Sequence, residues 1–457
     1  MNLGSIEPHT SKIAVLGYGI EGRATLDYLG DLGAPRVSLL DSNPNLIVDP
    51  SHQKFTSGNI LGIDWLMALD DFDVIIKSPG IPLHVIPSHA HPRLTSATNI
   101  FLGLARDKTI GITGTKGKST TSSLISHILN CAGIANSLGG NIGTPALSLL
   151  KSHASTYILE LSSYQLELCS ISPHGSVLLN LFAEHLDHHG TLQDYFSAKH
   201  KIHLFQSPGD FLVIPDSLTR ALSQTPLSGT SVRSFGCPDS TAWIEKNSVH
   251  YKQKSGGVSR LCRTDELLIP GPGNAHNVLA ALSALVHFEI DPTVLREALR
   301  SFKPLRHRLQ PVISQDRITF VNDSISTIPE STINAITTYS GTVHTLILGG
   351  YDRGVPFENL VNYVLESEIK LIILLPPSGS RLESMFKESS KFNPTLIELF
   401  SVPSMEEAVT LAKQKTPQNS VCLLSPAAPS YPMFRNFEER GDRFLELALK
   451  QSANPDS

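Results

Sequence analysis

Short apolar runs alternate with longer stretches of helical period along most of the chain. Residues 13–16, 37–40, 74–76, 110–112, 157–161, 177–181, 344–348 and 371–375 read as strands, and residues 120–130 and 192–205 read as helices. This rhythm predicts βαβ units and mainly parallel sheets. Polar clusters follow several of the runs, and the carboxyl ends of parallel strands are where such folds place ligands. Breaks near Leu104 and Pro304 divide the chain into residues 1–104, 105–304 and 305–457, the second break falling where a helical stretch meets proline. Residues 225–263, rich in Ser and Gly, predict a small β excursion inside the middle part. The polar tail 452–457 is expected to fray.

Composition narrows the picture. A chain of 457 residues has room for about three domains. Charged residues make up 17%, below the roughly 25% of ordinary globular chains, which excludes a charge-swollen disordered protein. The net charge of −5 argues against a general nucleic-acid binder. The five cysteines are scattered with no CxxC pair, so neither a disulfide framework nor a thiolate zinc site is expected. No signal peptide is read in residues 1–12, and no run approaches the roughly 18 apolar residues of a membrane span. A cytoplasmic protein without membrane insertion is the expectation.

Two glycine-rich loops carry candidate chemistry. Gly17-Tyr18-Gly19-Ile20-Glu21-Gly22 follows the first strand, and Asp41 closes the second. Such a loop suits a dinucleotide, another nucleotide diphosphate, or simply a tight strand–helix turn. Thr113-Gly114-Thr115-Lys116-Gly117-Lys118-Ser119-Thr120 is more specific. Its backbone N–H groups can form a nest for phosphates, Lys118 can neutralise them, and the Ser119 hydroxyl is placed for Mg²⁺. It departs from the strict phosphate-loop spacing, because Ile112 stands where the first glycine would be. Glu160, at a strand end, suits a hard cation. Glu184-His185-Leu186-Asp187-His188-His189 could contact a metal or substrate, could hold zinc although no closing ligand set is evident, or could be ordinary surface. Polar loops at Asn322-Asp323-Ser324, at 349–353 and at 425–427 suggest a second ligand-binding edge in the last third.

Taken in order, TGTKGKSTT, LELSSYQLE, NLFAEHLDHHG, AKHKI, GPGNAHNVLAA, HRL, NDS, LGGYDRG and LLSPAAPSYPMFRNFEERGDRF resemble the Mur ligase family over roughly residues 13–445. LELSSYQLE and FEERGDRF are similar to its D-glutamate-adding branch. The resemblance implies an α/β protein of three domains: an N-terminal Rossmann-like domain for a UDP-linked substrate, a central P-loop ATPase-like parallel sheet, and a C-terminal Rossmann-like domain for the amino acid. It implies an ATP-dependent amide-forming ligase of peptidoglycan precursor synthesis. The substrates would be UDP-N-acetylmuramoyl-L-alanine, D-glutamate and ATP, with two Mg²⁺ sites, no nucleic-acid partner and a monomeric state.

Residue roles follow from the same resemblance. ATP falls to Gly114, Thr115, Lys116, Gly117, Lys118, Ser119, Thr120, Asn274, Asn277, Arg308 and Asp323. The metal ions fall to Ser119, Glu160, His185 and a carbamylated Lys199, and catalysis to Lys118, Glu160, His185 and Lys199. The UDP substrate falls to Gly19, Ile20, Glu21, Asp41, Ser42, Ser78, Gly80, Asn141, Ser162, Gln165 and His185. D-Glutamate falls to Thr327, Arg353, Ser430, Tyr431 and Phe437.

The chain also departs from the family's pattern. Ile325 stands where Lys is frequent, Gln310 where Glu is usual, and Gly273 where His is frequent. Arg353 replaces a common Lys and keeps the charge. An oxidoreductase would explain residues 17–22 but not Lys118. A non-catalytic nucleotide-binding protein would need the loop, but not Glu160, His185 and Lys199 together. A ligase for another amino acid, or one resembling folylpolyglutamate synthase, would share the loop and differ in the third domain.

Overall fold

Each apolar run forms a strand in the computed structural model, which describes residues 10–182, 186–222 and 229–450. The chain divides into two compact units. One comprises the residues up to Leu267 with Gly273–Phe302, and the other comprises Leu268–Pro272 with the residues from Lys303 on.

The first unit holds two sheets. In the first sheet, β1 (Ile13–Leu16), β2 (Val37–Asp41), β3 (Ile60–Leu61), β4 (Val74–Lys77) and β5 (Leu94–Thr95) lie in the order β3-β2-β1-β4-β5. All the pairings are parallel. Strand order reverses between β1 and β4, and the loops after β1, β2 and β4 therefore meet at one edge.

The second sheet has nine strands. They are β6 (Thr109–Thr113), β7 (Asn136–Gly140), β8 (Thr156–Glu160), β9 (Gly175–Leu178), β10 (Phe211–Pro215), β11 (Ser231–Phe235), β12 (Ala242–Glu245), β13 (Ser248–Lys252) and β14 (Val258–Arg263). Their order is β14-β13-β12-β11-β10-β9-β6-β8-β7. β6 runs parallel between β8 and β9. The β excursion expected at 225–263 is present as β11–β14, described from residue 229 on, and belongs to this same sheet. β11 pairs parallel with β10, and antiparallel β12–β14 carry the same sheet outward.

One apolar core joins the two sheets. Leu26 and Phe101, from the first, belong to the same buried cluster as Leu147 and Tyr157, from the second. Phe101 meets Tyr157 edge to face at a centroid distance of 5.3 Å. Leu104, where a break was expected, lies in the helix Ala97–Ala105 that carries Phe101 into this core. The break expected near Pro304 falls within two residues of the unit boundary, just past the helix Pro292–Ser301.

The second unit is built on β15 (Gln310–Ile313), β16 (Thr319–Asn322), β17 (Val343–Gly349), β18 (Leu371–Leu375), β19 (Glu398–Ser401) and β20 (Val421–Leu424). Their order is β15-β16-β20-β17-β18-β19, and only the β15 pairing is antiparallel. The loops after β16, β20 and β17 thus lie side by side. Among the described residues, no helix is long and apolar enough to cross a membrane.

The first glycine-rich loop is a steric necessity. A Cβ on Gly22 would lie 1.9 Å from the Gly17 carbonyl oxygen, whereas one on Gly19 would meet nothing within 4 Å. Gly22→Ala is expected to destabilise the protein by about 1–3 kcal/mol, and Gly19→Ala to leave stability unchanged. Denaturant unfolding of the two variants, monitored side by side, checks this.

Candidate active site

The second glycine-rich loop leaves β6 at Thr113 and ends at the helix Lys118–Cys131. Gly114 (φ +153°) and Gly117 (φ +88°) are both in conformations that disfavour side chains. A Cβ on Gly114 would lie 2.9 Å from Cβ of Leu179, and one on Gly117 would lie 2.2 Å from Oδ1 of Asn277. Asn277 is thereby placed against the loop, and its Nδ2 reaches Asn274 Oδ1 at 3.3 Å.

Asn180, just past β9, clamps the loop. Its carbonyl accepts from the Thr115 N–H at 3.1 Å, its Oδ1 accepts from the Lys116 N–H at 2.8 Å, and its Nδ2 donates to the Lys116 carbonyl at 3.0 Å. Thr115 Oγ1 lies 3.0 Å from the Tyr195 hydroxyl. Sequence reading gave Asn180 and Tyr195 no role. Asn180 opens the NLFAEHLDHHG motif but falls inside the 177–181 run read as a strand, whereas β9 ends at Leu178.

Two lysines meet at one loop carbonyl. Lys118 Nζ donates to Gly114 O at 2.9 Å and to Thr115 O at 3.0 Å. Lys199 Nζ, on the helix Leu192–Leu204, donates to the same Gly114 O at 2.9 Å. Lys199 is 2% exposed, and its ammonium also sits over the Tyr195 ring at 4.8 Å. No side chain caps the helix at Gly117, and Thr120 follows Ser119 in its first turn. The helix N-terminus, two lysines and the loop amides make this edge suited to anionic phosphate.

Glu160 is the last residue of β8, opposite Ile112 of β6. Its segment is tied to the loop, since Leu161 N–H donates to Ile112 O at 2.8 Å and Thr113 Oγ1 donates to Leu161 O at 2.7 Å. Glu160 is 2% exposed. Oε1 accepts from Asn141 Nδ2 at 2.7 Å, while Oε2 is buried with no hydrogen-bond partner among the described residues. A bare, buried carboxylate oxygen is costly unless a cation meets it. The donor set of Glu160 and the Ser119 hydroxyl therefore fits Mg²⁺, a cation that prefers oxygen. His185, assigned to the second ion, lies outside the described residues.

The candidates for the UDP substrate gather at the first sheet's switch point. Gly19, Ile20 and Glu21 follow β1, Asp41 closes β2 ahead of Ser42, and Ser78 and Gly80 follow β4. Ile20, Ser42 and Gly80 are exposed there. Asp41 accepts from the Tyr18 and Asn43 N–H groups at 2.8 and 2.9 Å, so its carboxylate shapes the loop itself. Ser78 Oγ donates to Gly17 O at 3.2 Å.

Ser162 and Gln165 form a reciprocal helix cap, and Gln165 Nε2 reaches across to the Glu21 carboxylate. Burial raises the pKa of Glu21, against the lowering effects of Gln165 and Lys77. Lys77, which sequence reading missed, is 2% exposed and forms an ion pair with Glu167 at 3.0 Å. It also donates to Ile81 O at 2.7 Å. Burial pushes the Lys77 pKa down, and Glu167 and Glu21 pull it back up.

In the second unit the glutamate candidates follow β16 (Thr327), β17 (Arg353) and β20 (Ser430, Tyr431, Phe437). Arg353 Nη2 lies 3.5 Å from the Thr327 carbonyl oxygen, and the Tyr431 ring lies tilted at 36° against Tyr351, centroids 4.5 Å apart. Ser430 is buried and Arg353 is exposed. Phe437 meets His307 edge-on at 6.1 Å. Gln310 Oε1 accepts from the His307 N–H at 2.9 Å, a contact that needs an acceptor oxygen but no charge. Ile325 is half-buried, with its N–H on His307 O at 3.2 Å. A Cβ on Gly273, in the first unit, would meet nothing within 4 Å.

Arg440 was missed by sequence reading and organises this edge. It is 1% exposed and donates to Ser324 Oγ at 2.9 Å, Ser324 O at 2.8 Å and Ala428 O at 3.0 Å. Burial pushes its pKa down to about 9. Asp323 accepts from Ser326 Oγ at 2.5 Å, Ser425 Oγ at 2.8 Å and Leu309 N–H at 3.2 Å. Burial pushes the Asp323 pKa up to about 6, against the lowering effects of the Ser326, Ser425 and Leu309 donors and of Arg308.

A phosphate loop at the end of a central parallel strand, with a buried bare carboxylate on the neighbouring strand, defines a P-loop nucleotide-binding α/β protein. Comparison with known proteins narrows this. The model of the Mur ligase middle domain matches residues 112–285. The chain is 34% identical over 450 residues to the UDP-N-acetylmuramoylalanine--D-glutamate ligase of Symbiobacterium thermophilum, covering 95% of this chain and 97% of the relative. It is 33% identical over 465 residues to the UDP-N-acetylmuramoyl-L-alanine--L-glutamate ligase of Salinispora tropica, covering 97% and 98%. Among solved structures, MurF of Acinetobacter baumannii shares the fold with a TM-score of 0.61 at 16% identity, covering 95% of this chain and 90% of that one. The MurF ligase of Thermotoga maritima in complex with ADP matches with a TM-score of 0.57 at 16% identity, covering 95% and 93%. The protein belongs to the Mur ligase family.

Asp323 gives a pH test. A carboxyl whose pKa is raised on folding favours the protonated native state. Its contribution is fully present below the ordinary value of 3.8 and is lost as pH rises through about 6. The stability of the wild type minus that of Asp323→Asn is expected to fall by about 3 kcal/mol between pH 3.5 and 7.5. Chemical denaturation of both proteins across that range measures it.

Proposed function

We propose that this protein is an ATP-dependent ligase joining D-glutamate to UDP-N-acetylmuramoyl-L-alanine in peptidoglycan precursor synthesis. The single observation that carries the chemistry is the phosphate loop with Lys118 and Lys199 on one carbonyl, next to the bare oxygen of Glu160. Near full-length similarity to glutamate-adding ligases supports the choice of substrates. Residues 1–104 are assigned to the UDP substrate, 105–304 to ATP and 305–457 to the amino acid. The three separate sheets support that division.

A carboxylate is a poor electrophile because it would have to expel oxide. An oxygen of the alanyl carboxylate therefore attacks the γ-phosphorus of ATP, ADP leaves, and an acyl phosphate remains. The glutamate amine attacks the acyl carbon. The tetrahedral intermediate then expels phosphate, and the amine loses a proton to give the amide. Lys118 and the loop amides hold the transferring phosphoryl group, so catalysis is mainly positioning and charge neutralisation. Ser119 and Glu160 would hold one Mg²⁺, and His185 with a carbamylated Lys199 the second. Bound there, Mg²⁺ neutralises phosphate charge. Asn141, hydrogen-bonded to Glu160, and the Ser162–Gln165–Glu21 chain of contacts orient the acceptor's alanyl end. In the second unit, Arg308 and Asp323 are assigned to ATP, and Thr327, Arg353, Ser430, Tyr431 and Phe437 to glutamate.

The carbamate reading comes from the family resemblance, and the burial of Lys199 beside a second lysine supports it. Lys118 and Lys199 nitrogens are no further apart than twice 2.9 Å. Carbamylation reverses the sign of the Lys199 group and supplies oxygen donors, the type Mg²⁺ prefers. Lys199→Ala is expected to lose nearly all turnover, and short carboxylic acids to restore part of it. Near-native turnover by the variant would overturn the carbamate.

A second reading, L-glutamate as the amine, is favoured by the L-glutamate ligases of Salinispora tropica and of a Micromonospora strain, 33% and 31% identical to this chain. Phosphate release from ATP with UDP-N-acetylmuramoyl-L-alanine decides between them. Turnover with D-glutamate is expected to exceed that with L-glutamate or D-aspartate by at least about 100-fold, a factor worth roughly 2.7 kcal/mol. The reverse preference establishes the second reading.

A further inference from the structure

His188 and His189 have no part in the proposed reaction, yet the fold gathers them around Glu167, whose side chain is 11% exposed. His188 Nε2 lies 3.4 Å and His189 Nδ1 3.9 Å from the same oxygen, Glu167 Oε1. All three donor atoms fall within 4.8 Å of one another. The two contacts are too long for good hydrogen bonds. Donors on a tetrahedral zinc ion, each about 2.0–2.1 Å from the metal, stand about 3.3–3.4 Å apart. Small imidazole rotations would bring this cluster to that spacing.

Neighbouring groups orient all three. His189 Nε2 is 3.0 Å from Ser163 Oγ, which leaves Nδ1 turned to the carboxylate. The His188 ring lies against Tyr164, with centroids 4.0 Å apart and planes at 33°. Lys77 holds the other carboxylate oxygen, Oε2, and leaves Oε1 to the histidines. Such outer contacts are what fix the ligands of a metal site. The nearby Lys77 charge opposes a cation. Against it stands Glu21, whose charge also acts on Lys77 and whose Oε2 is buried with no hydrogen-bond partner among the described residues.

We propose that Glu167, His188 and His189 form a divalent-metal site with the donor preference of zinc, separate from the magnesium positions at the phosphate loop. Two imidazoles and one carboxylate suit zinc, whereas magnesium takes oxygen alone. Three protein ligands leave a fourth position for water.

The test uses the full chain, stripped of metal with a chelator and titrated with Co²⁺ as a coloured probe. One equivalent is expected to give the strong visible absorption of a low-coordinate Co²⁺ site and to be displaced by Zn²⁺. The absorption should persist in Glu160→Gln, disappear in His188→Gln and His189→Gln, and require about 10–100-fold more metal in Ser163→Ala. Absorption lost in Glu160→Gln and kept in His188→Gln would assign the ion to the phosphate loop and overturn the proposal. Because the histidine variants could misfold, zinc-edge X-ray absorption of the wild type provides a second reading. Two imidazole shells support the site, and an oxygen-only shell or no retained zinc refutes it.

Discussion

Everything at the phosphate loop depends on holding a glycine-rich backbone in place with polar contacts from the neighbouring strand. Gly114 and Gly117 permit the conformation, but glycine alone would let the loop wander. Asn180 removes that freedom, with three contacts to two consecutive residues from a single side chain and its own carbonyl. The clamp comes from the strand beside β6. The loop is thus positioned by the sheet register, and the same register sets Glu160 on the other side of β6.

The two units handle buried charge differently. In the first, opposite charges are paired, as in Lys77 with Glu167, or left with one bare oxygen, as in Glu160 and Glu21. In the second, Arg440 is satisfied by two carbonyls and a hydroxyl rather than by a carboxylate. Neutral acceptors do not attract a cation as strongly as an anion does. Burial pushes the Arg440 pKa down to about 9, although Asp323 pulls it back up, while these contacts fix its position.

Much of the architecture could be read from the chain because central parallel strands are continuous apolar runs. Residues 13–16 and 371–375 match β1 and β18 without adjustment. The hairpins β12–β14 were legible as strands but not as part of the same sheet, since edge pairing is decided by tertiary contacts that leave no local pattern. The loop glycines and Lys118 stood out through spacing. Asn180, Tyr195, Lys77 and Arg440 did not, because each acts through partners that are distant in sequence. Lys77 and Glu167, for example, are brought together only when the first two sheets pack. The histidine pair was visible as a cluster, but its third member came from an earlier motif.

The shared core of the first two sheets has a consequence for how such a chain can change over time. Where domains meet through a polar seam, one can be exchanged for another by recombination with little cost. Here Phe101 and Tyr157 are buried against each other across the join, and Leu26 and Leu147 sit in the same apolar cluster. A foreign first sheet grafted onto this second one would leave that surface mismatched. The first sheet and the phosphate loop are therefore inherited together, and changes in the first sheet's loops have to arise by substitution within them rather than by replacing the sheet.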